Sequence, residues 1–543
     1  MNTPSPFADA TRRWALALTA IPSVTGTADE AACAGRIAEL LRASPAGFEV
    51  WTFPVPGGRF PRACVAALLR GTGRETLILT GHYDTVQTGN YGDLQPLALD
   101  PEALRPALLA ALEDAEDESG LRARADLASG AFLPGRGLLD MKAGLAAAIA
   151  VMEEAATRPA RPGNLLLLVV PDEEANSAGA RAAAPEMARI AATHGLALAG
   201  AINLDCICDF GDGSDGRRIA LGSVGKLLPS ALVVGRAAHA ADSYAGLGAC
   251  ALAGTLAAAV EWAPELAEST GADLGPGPTL LGMRDTKTGY DVTMPASVWM
   301  YWNVICHRQG PEEVLGRIET IARTALTGAL ATLGARRPRS AGTSLPTEIP
   351  VLRYNALLAG ATARHPEARA RIAARAGELA ASGADLPEQC RQLTELAWAL
   401  SGRSGPAVVL GFASLPYLAC ALGPDPAARR LDTAAREAAA EVSKRHGVTI
   451  GTRAFFPGIS DMSYLGQASE SAVPEIARNT PCWGHAIRWP EGPALGQVPI
   501  VNAGPWGRDF HTRLERVDAD YAFAIVPELI VAIARRVLAA PTA

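Results

Sequence analysis

Histidine and carboxylate residues recur in this sequence at spacings that suit a two-metal hydrolase. The segments are Gly81-His82-Tyr83-Asp84, Gly135-Arg136-Gly137-Leu138-Leu139-Asp140-Met141-Lys142, Pro171-Asp172-Glu173-Glu174 and Asn203-Leu204-Asp205. A fifth, Gly507-Arg508-Asp509-Phe510-His511, lies far downstream. Neutral imidazole and carboxylate are the ligands that hold zinc, manganese or cobalt in a hydrolytic centre. A lone His-x-Asp reads as a surface pair, and a lone Asp-Glu-Glu as a solvated helix start. Here three of the four early segments follow strand-like runs: Leu77-Ile78-Leu79, Leu165 to Val170, and Ala201-Ile202. That placement puts ligands where strands end, the edge at which open α/β sheets bind substrate.

The spacing within each segment supports the same chemistry. His82 and Asp84 are two apart on an extended chain, so both face one side. Glu173 and Glu174 are adjacent and diverge, so one can ligate while the other faces a bound water. Asp140 follows a Gly-rich turn and precedes an Ala-rich helix, where the dipole and free N–H groups favour a carboxylate.

These motifs, in this order, resemble the M20 family of metallopeptidases and amidohydrolases. GHYDTVQTGNYG (Gly81 to Gly92), PDEEANSAGAR (Pro171 to Arg181) and LGMRDTKTGYDV (Leu281 to Val292) are similar to its RocB-like, arginine-utilisation branch. The resemblance implies that His82 is the first metal ligand and that Asp84 orients it. It implies that Asp140 bridges two metals, Glu173 is the general base and Glu174 the adjacent ligand. Asp205 falls where the family has Asp or Glu on one metal. His511 matches the last ligand, followed four residues on by Glu515. His239, in Ala237-Ala238-His239-Ala240, resembles a lid-domain histidine that donates to the oxyanion. Two divalent metal ions are implied, zinc first, with manganese or cobalt as alternatives.

Composition sets bounds. The chain has 543 residues, 49% hydrophobic and 19% charged, which suits a folded protein with more than one core. A formal charge of −7 offers no electrostatic case for nucleic acid or an anionic membrane. No apolar run reaches the length of a membrane span. The 9 cysteines lack CxxC spacing; Cys206 and Cys208 read as core thiols, and the pattern suggests a reducing, cytoplasmic setting. Two arginines precede a short apolar run in Thr11 to Ala20, which reads as an N-terminal helix.

The expected fold class is α/β: a mostly parallel sheet sandwiched by helices, with an inserted α+β lid or dimerisation domain. Residues 1–212 read as the first part of the catalytic domain, 213–335 as the insertion and 336–543 as the second part. Gly211 to Gly216 reads as a linker. Predicted helices include Ala31 to Leu41, Met141 to Ala156, Tyr244 to Trp262, Pro311 to Leu333, Leu431 to Arg445 and Val517 to Leu538. Val408 to Phe412 reads as a buried strand of the catalytic domain. Extra helices over residues 350–402 receive no role.

Other polar residues carry weaker signals. Asp285, Lys287 and Tyr290 form a loop cluster that is either solvated or concerned with substrate. Arg308 loosely resembles a carboxylate-binding arginine, although Cys306-His307-Arg308 departs from the family pattern. His194 and His446 precede glycines at helix ends and read as structural. The reading is hydrolysis of a C–N amide bond, whether peptide, N-acyl or ureido, in a small amino-acid derivative or short peptide. A homodimer through the lid is a further expectation. The competing class is a non-catalytic metal- or amino-acid-binding regulatory protein on the same scaffold.

Overall fold

A computed structural model describes residues 5–209, 216–270, 273–338, 344–489 and 496–539. The expected linker at 211–216 lies, apart from Gly216, outside the described residues. The chain forms two compact units: one of Met1–Ser223, Cys420–Ala468 and Gly492–Ala543, the other of Val224–Ala419 and Ser469–Glu491. The second unit therefore runs past the expected boundary at 335 and takes residues up to 419. The physical reason lies in one strand. Ala407–Phe412 is apolar and buried throughout, so its sequence announces a core without saying which sheet. It pairs antiparallel with Pro229–Val234 in the second unit, and not in the catalytic sheet.

Among the described residues, the first unit builds an α/β layer around an eight-stranded mixed sheet. Its centre is parallel: Glu75–His82 pairs in parallel with Asn164–Val170 and with Ala197–Asn203, and Ile500–Asn502 continues beside the latter. Antiparallel Glu49–Val55 and Arg62–Leu69 extend one side. Asn164–Val170 is buried along its whole length, as a strand covered on both faces must be. Leu77, Leu79, Leu165, Leu167 and Val169 share one core with the helices Ala8–Thr19, Ala28–Ala43, Ala143–Ala156, Pro426–His446 and Val526–Leu538. Ile78, Leu166 and Leu168 alternate to the other face and are also buried. Helix Ala178–His194 packs against strands of this sheet.

A smaller four-stranded sheet joins distant parts of the chain. Phe132–Pro134 pairs with Arg516–Asp518, that strand with Trp506–Arg508, and the latter with Ile207–Asp209. These segments flank Asp140, His511 and Asp205. The helix expected from Val517 starts after the strand Arg516–Asp518, with a wide helical turn over Tyr521–Ile525 leading into Val526–Leu538. The helix expected from Met141 begins at Ala143, after a wide turn over Leu138–Lys142.

In the second unit, Ser297–Cys306 pairs with Gly225–Leu227, Pro229–Val234 and Thr279–Asp285, and Val351–Arg353 lies parallel to Ala407–Phe412. Helices Ala249–Val260 and Pro311–Arg336 pack together. The helix expected over Tyr244 to Trp262 is shorter, preceded by a 3-10 turn over Ala240–Ala245. The unassigned stretch 350–402 forms helices Tyr354–Arg364, Ala368–Ser382 and Leu386–Ser401.

Helix and strand approach closely at Gly144. A Cβ there would lie 2.2 Å from the carbonyl oxygen of Leu204, the residue before Asp205. Backbone cannot rotate away, so Gly144→Ala should destabilise the unit by about 1–3 kcal/mol through overpacking. A lowered urea midpoint together with weaker metal retention is the expected readout.

Candidate metal centre

The parallel strands end side by side, and each delivers a candidate ligand at or just beyond its end. His82 is the last residue of its strand and lies level with Val170, just before Pro171-Asp172-Glu173-Glu174. Asp205 follows the neighbouring strand by two residues. The His82 imidazole is buried, and its Nδ1 lies 3.1 Å from the carbonyl oxygen of Asp84. A carbonyl only accepts, so Nδ1 carries the proton and Nε2 turns inward. Nε2 meets Asp140 Oδ1 at 3.1 Å, Asp205 Oδ1 at 3.9 Å and Glu173 Oε2 at 4.0 Å. His511 Nε2 meets the other Asp140 oxygen at 3.2 Å and Glu174 Oε1 at 3.1 Å. Asp140 thus offers one oxygen to each of two imidazoles. Two ligand groups result, His82–Asp140–Asp205 and Asp140–Glu174–His511, sharing that carboxylate.

Asp84 does more than face His82. Its carboxylate lies 3.6 Å from His82 Nδ1, and its backbone carbonyl makes the closer contact. The carboxylate oxygens instead accept the N–H groups of Glu173 at 3.1 Å and Glu174 at 3.2 Å, and the Thr25 hydroxyl at 2.8 Å. Asp84 therefore aims both acidic residues of the turn.

The downstream ligand is held by a clamp. Buried Arg136 pairs with buried Glu515, and it donates to the carbonyls of His511 and Thr512, each at 3.3 Å. Glu515 Oε1 accepts from Gly137 N at 2.9 Å, and Asn90 Nδ2 donates to His511 O at 2.9 Å. His511 adopts φ +64°, a left-handed conformation that a non-glycine residue keeps only when its surroundings hold it.

Two residues escaped the sequence reading. Asn502 Oδ1 accepts from Asp205 N at 3.1 Å, and its Nδ2 donates to Asp205 O at 2.9 Å, so one side chain locks the ligand's backbone. Its signal was thin, an asparagine ending a short strand before a glycine. Asp461 is buried, and neither carboxylate oxygen meets a donor in hydrogen-bond geometry. Its charge acts on Glu173 and Asp205, while the charge of His82 acts on it. In sequence, Ser460-Asp461 looks like an ordinary helix cap.

Electrostatics test whether cations fit. Burial raises the Glu173 carboxyl well above its ordinary value, and burial with the charge of Asp140 pushes Asp205 up to about 8. Burial, followed by Asp140, raises Glu174. Burial would lower His82, but the Asp140 hydrogen bond and the nearby carboxylates outweigh it and hold the imidazole well above normal. His511 is likewise pushed up to about 10 by Asp140 and Glu174 against its burial. Crowded, desolvated carboxylates of this kind repel one another unless protons or metal ions compensate. The donor set fits two divalent ions.

The other expected site residues lie in the second unit. His239 is exposed at the start of a 3-10 turn, with Nδ1 accepting from Ala241 N at 3.1 Å. Lys287 Nζ is engaged within its own loop by Asp291 Oδ1 and the carbonyls of Asp291 and Thr293. Asp285 accepts from Lys287 N, and Tyr290 projects outward, 94% exposed. Arg308 donates to Ser269 O at 3.0 Å. In the first unit, His194 stacks on Trp51 and His446 contacts Glu528 at 3.0 Å, which are structural roles.

Residues 111–482 match the model of Peptidase family M20/M25/M40. The chain is 28% identical over 533 residues to Protein RocB of Bacillus subtilis, covering 94% of this chain and 92% of that one. It is 27% identical over 526 residues to the uncharacterized protein YqjN of the same organism, with the same coverage. The structure of a tripeptidase from Staphylococcus aureus superposes with a TM-score of 0.53 at 14% identity, covering 98% of each chain, a likeness of fold.

Two outcomes are expected of this centre. Raised to about 10 and about 8, His511 and Asp205 hold protons at pH 7 that metal must displace. Zinc or cobalt uptake should therefore release protons, and affinity should climb from pH 6 to pH 9 and fall as pH drops. Calorimetry in buffers of different ionisation enthalpy measures the release. Second, Asn502→Ala strips Asp205 of both backbone partners and should weaken metal binding roughly 10–100-fold, read by chelator competition.

Proposed function

We propose, for a chain that belongs to peptidase family M20/M25/M40 and is an M20-type metallohydrolase, that it cleaves a C–N amide bond of a small amino-acid derivative or short peptide with water. The observation that carries this reading is Asp140, whose two oxygens face His82 and His511 separately. His82, Asp140 and Asp205 would hold one divalent ion, and Asp140, Glu174 and His511 the other, zinc being the first choice. Bound there, the ions would supply Lewis-acid activation of a water and of the scissile carbonyl.

The chain's own residues complete the reaction. Glu173 stands outside both ligand groups, with Oε2 4.0 Å from His82 Nε2. It takes the attacking water's proton and passes it to the leaving nitrogen. Its buried setting raises its carboxyl, which suits a group that must both accept and return a proton. To His239 the reading assigns donation to the developing oxyanion. One well-placed donor of this kind contributes about 3–4 kcal/mol.

The substrate reading is a dipeptide, an N-acyl amino acid or a ureido acid. The 28% identity to Protein RocB supports a place in the RocB-like branch, and the motifs that resemble that branch extend the reading to arginine metabolism. The second unit is also the proposed homodimer surface. Among the described residues Thr279–Asp285 pairs on one side only, with Ser297–Cys306, and Leu281 and Met283 are exposed along it. No described helix is long and apolar enough to cross a membrane. All nine cysteines are unbridged, which suits the reducing cytoplasm.

Chelation should abolish turnover, and zinc, manganese or cobalt should restore it. Turnover is to be measured on a panel of dipeptides, N-acyl amino acids and ureido acids. Glu173→Gln should lower kcat by several orders of magnitude with metal content intact; an emptied centre would instead exchange the roles of Glu173 and Glu174. His239→Ala should lower kcat without metal loss. Mixed dimers of His239→Ala with Glu173→Gln should recover activity if the histidine serves a neighbouring subunit, and should stay inactive if it serves its own.

A further inference from the structure

Beneath the turn that carries Glu173 and Glu174 lies a buried arginine that neither ligates nor touches the reacting groups. Arg62 opens the strand Arg62–Leu69, and its side chain is 8% exposed. Its Nη1 binds Asp172 Oδ1 and lies 3.5 Å from Glu30 Oε1. Glu30 is itself fixed, since its Oε2 accepts from Gly26 N at 2.7 Å and its own N–H is capped by Thr27 Oγ1. Arg62 is therefore anchored on one side to the N-terminal segment and on the other to Asp172.

Asp172 carries the turn. It adopts φ +70°, and its carbonyl accepts the N–H groups of Ala175, Asn176 and Ser177 at 3.3, 3.1 and 2.6 Å. Its Oδ2 accepts from Ala178 N at 3.0 Å, the first residue of the following helix. Only Oδ1 remains for Arg62. The turn is thus gripped from two sides: Asp84 holds the N–H groups of Glu173 and Glu174, and Arg62 holds Asp172. A left-handed aspartate with a buried carboxylate needs such a cation, because without it the charge would be uncompensated.

We infer that Arg62 is a positioning residue for the Glu173–Glu174 turn, acting through Asp172, and that it sets the metal affinity of one half of the centre. The selectivity follows from the ligand groups. Glu174 belongs to the group with Asp140 and His511, whereas His82, Asp140 and Asp205 include no residue of the turn. Loosening Asp172 therefore releases one ligand of one site and leaves the other site's ligands held by Asn502 and the Asp84 carbonyl. Glu173 shares the turn, so the general base is misplaced together with the ligand. The inference rests on the ligand assignment proposed above.

The test is stepwise titration of metal-free protein with zinc in chelator competition, on Arg62→Met, Arg62→Lys and the controls Glu174→Gln and Asp205→Asn. Folding is followed by circular dichroism. Arg62→Met should weaken one site roughly 10–100-fold, the range for partners behind a metal ligand, and leave the other within about threefold. The affected site should be the one lost in Glu174→Gln and kept in Asp205→Asn. Arg62→Lys, which keeps the charge without the planar fork, should show the same selectivity with a smaller shift, and it decides the matter should Arg62→Met not fold. Both sites unchanged, or both weakened alike, would overturn the role of Arg62. Controls that fail to separate two sites would overturn the ligand assignment on which it rests.

Discussion

Four carboxyl groups, those of Asp140, Glu173, Glu174 and Asp205, are buried within reach of two imidazoles, and the rest of the first unit answers to that crowding. Like charges in a desolvated site separate if anything lets them. Here Glu173, Glu174, Asp205 and the loop of His511 are tied from behind by groups that cannot yield cheaply. Asp84 draws in the backbone of Glu173 and Glu174, Asn502 fastens both polar groups of Asp205's backbone, and Arg136 with Glu515 fixes the loop of His511. Repulsion between the acids is thereby converted into affinity for cations, the one class of ligand that relieves it.

The scaffold explains why these ties hold. A parallel sheet ends all its central strands at one edge, so the side chains of His82, Glu173, Glu174 and Asp205 converge without long loops. The sheet's two faces are apolar and covered, which removes water from the backs of the ligands and strengthens each hydrogen bond there. His511 and Asp140 lie outside that arrangement. They are brought in by the four-stranded sheet, whose strands come from before Asp140, after Asp205 and either side of His511.

Much of this was legible in the residues. His82, Asp140, Glu174, Asp205 and His511 are reactive types at strand ends or turns, and the structure gathers all five. What could not be read were residues whose job is to hold others. Asn502, Arg62 and Arg136 look like ordinary polar positions until their partners, hundreds of residues away in the case of Asn502 and Arg136, are known. The same limit governs the domain boundary. Ala407–Phe412 is an apolar run whose burial is evident, but hydrophobicity names no partner, and only pairing with Pro229–Val234 assigns it to the second unit. Asp84 was legible as a member of the site, whereas its hold on the N–H groups of Glu173 and Glu174 was not.

The four-stranded sheet also bears on the order in which the protein is made. On the ribosome, the strands Phe132–Pro134 and Ile207–Asp209 appear early, but neither has a partner in that sheet until Trp506–Arg508 and Arg516–Asp518 emerge. His511 arrives between those last two strands. The nascent chain thus lacks the second imidazole that faces Asp140 until its last segment has been made.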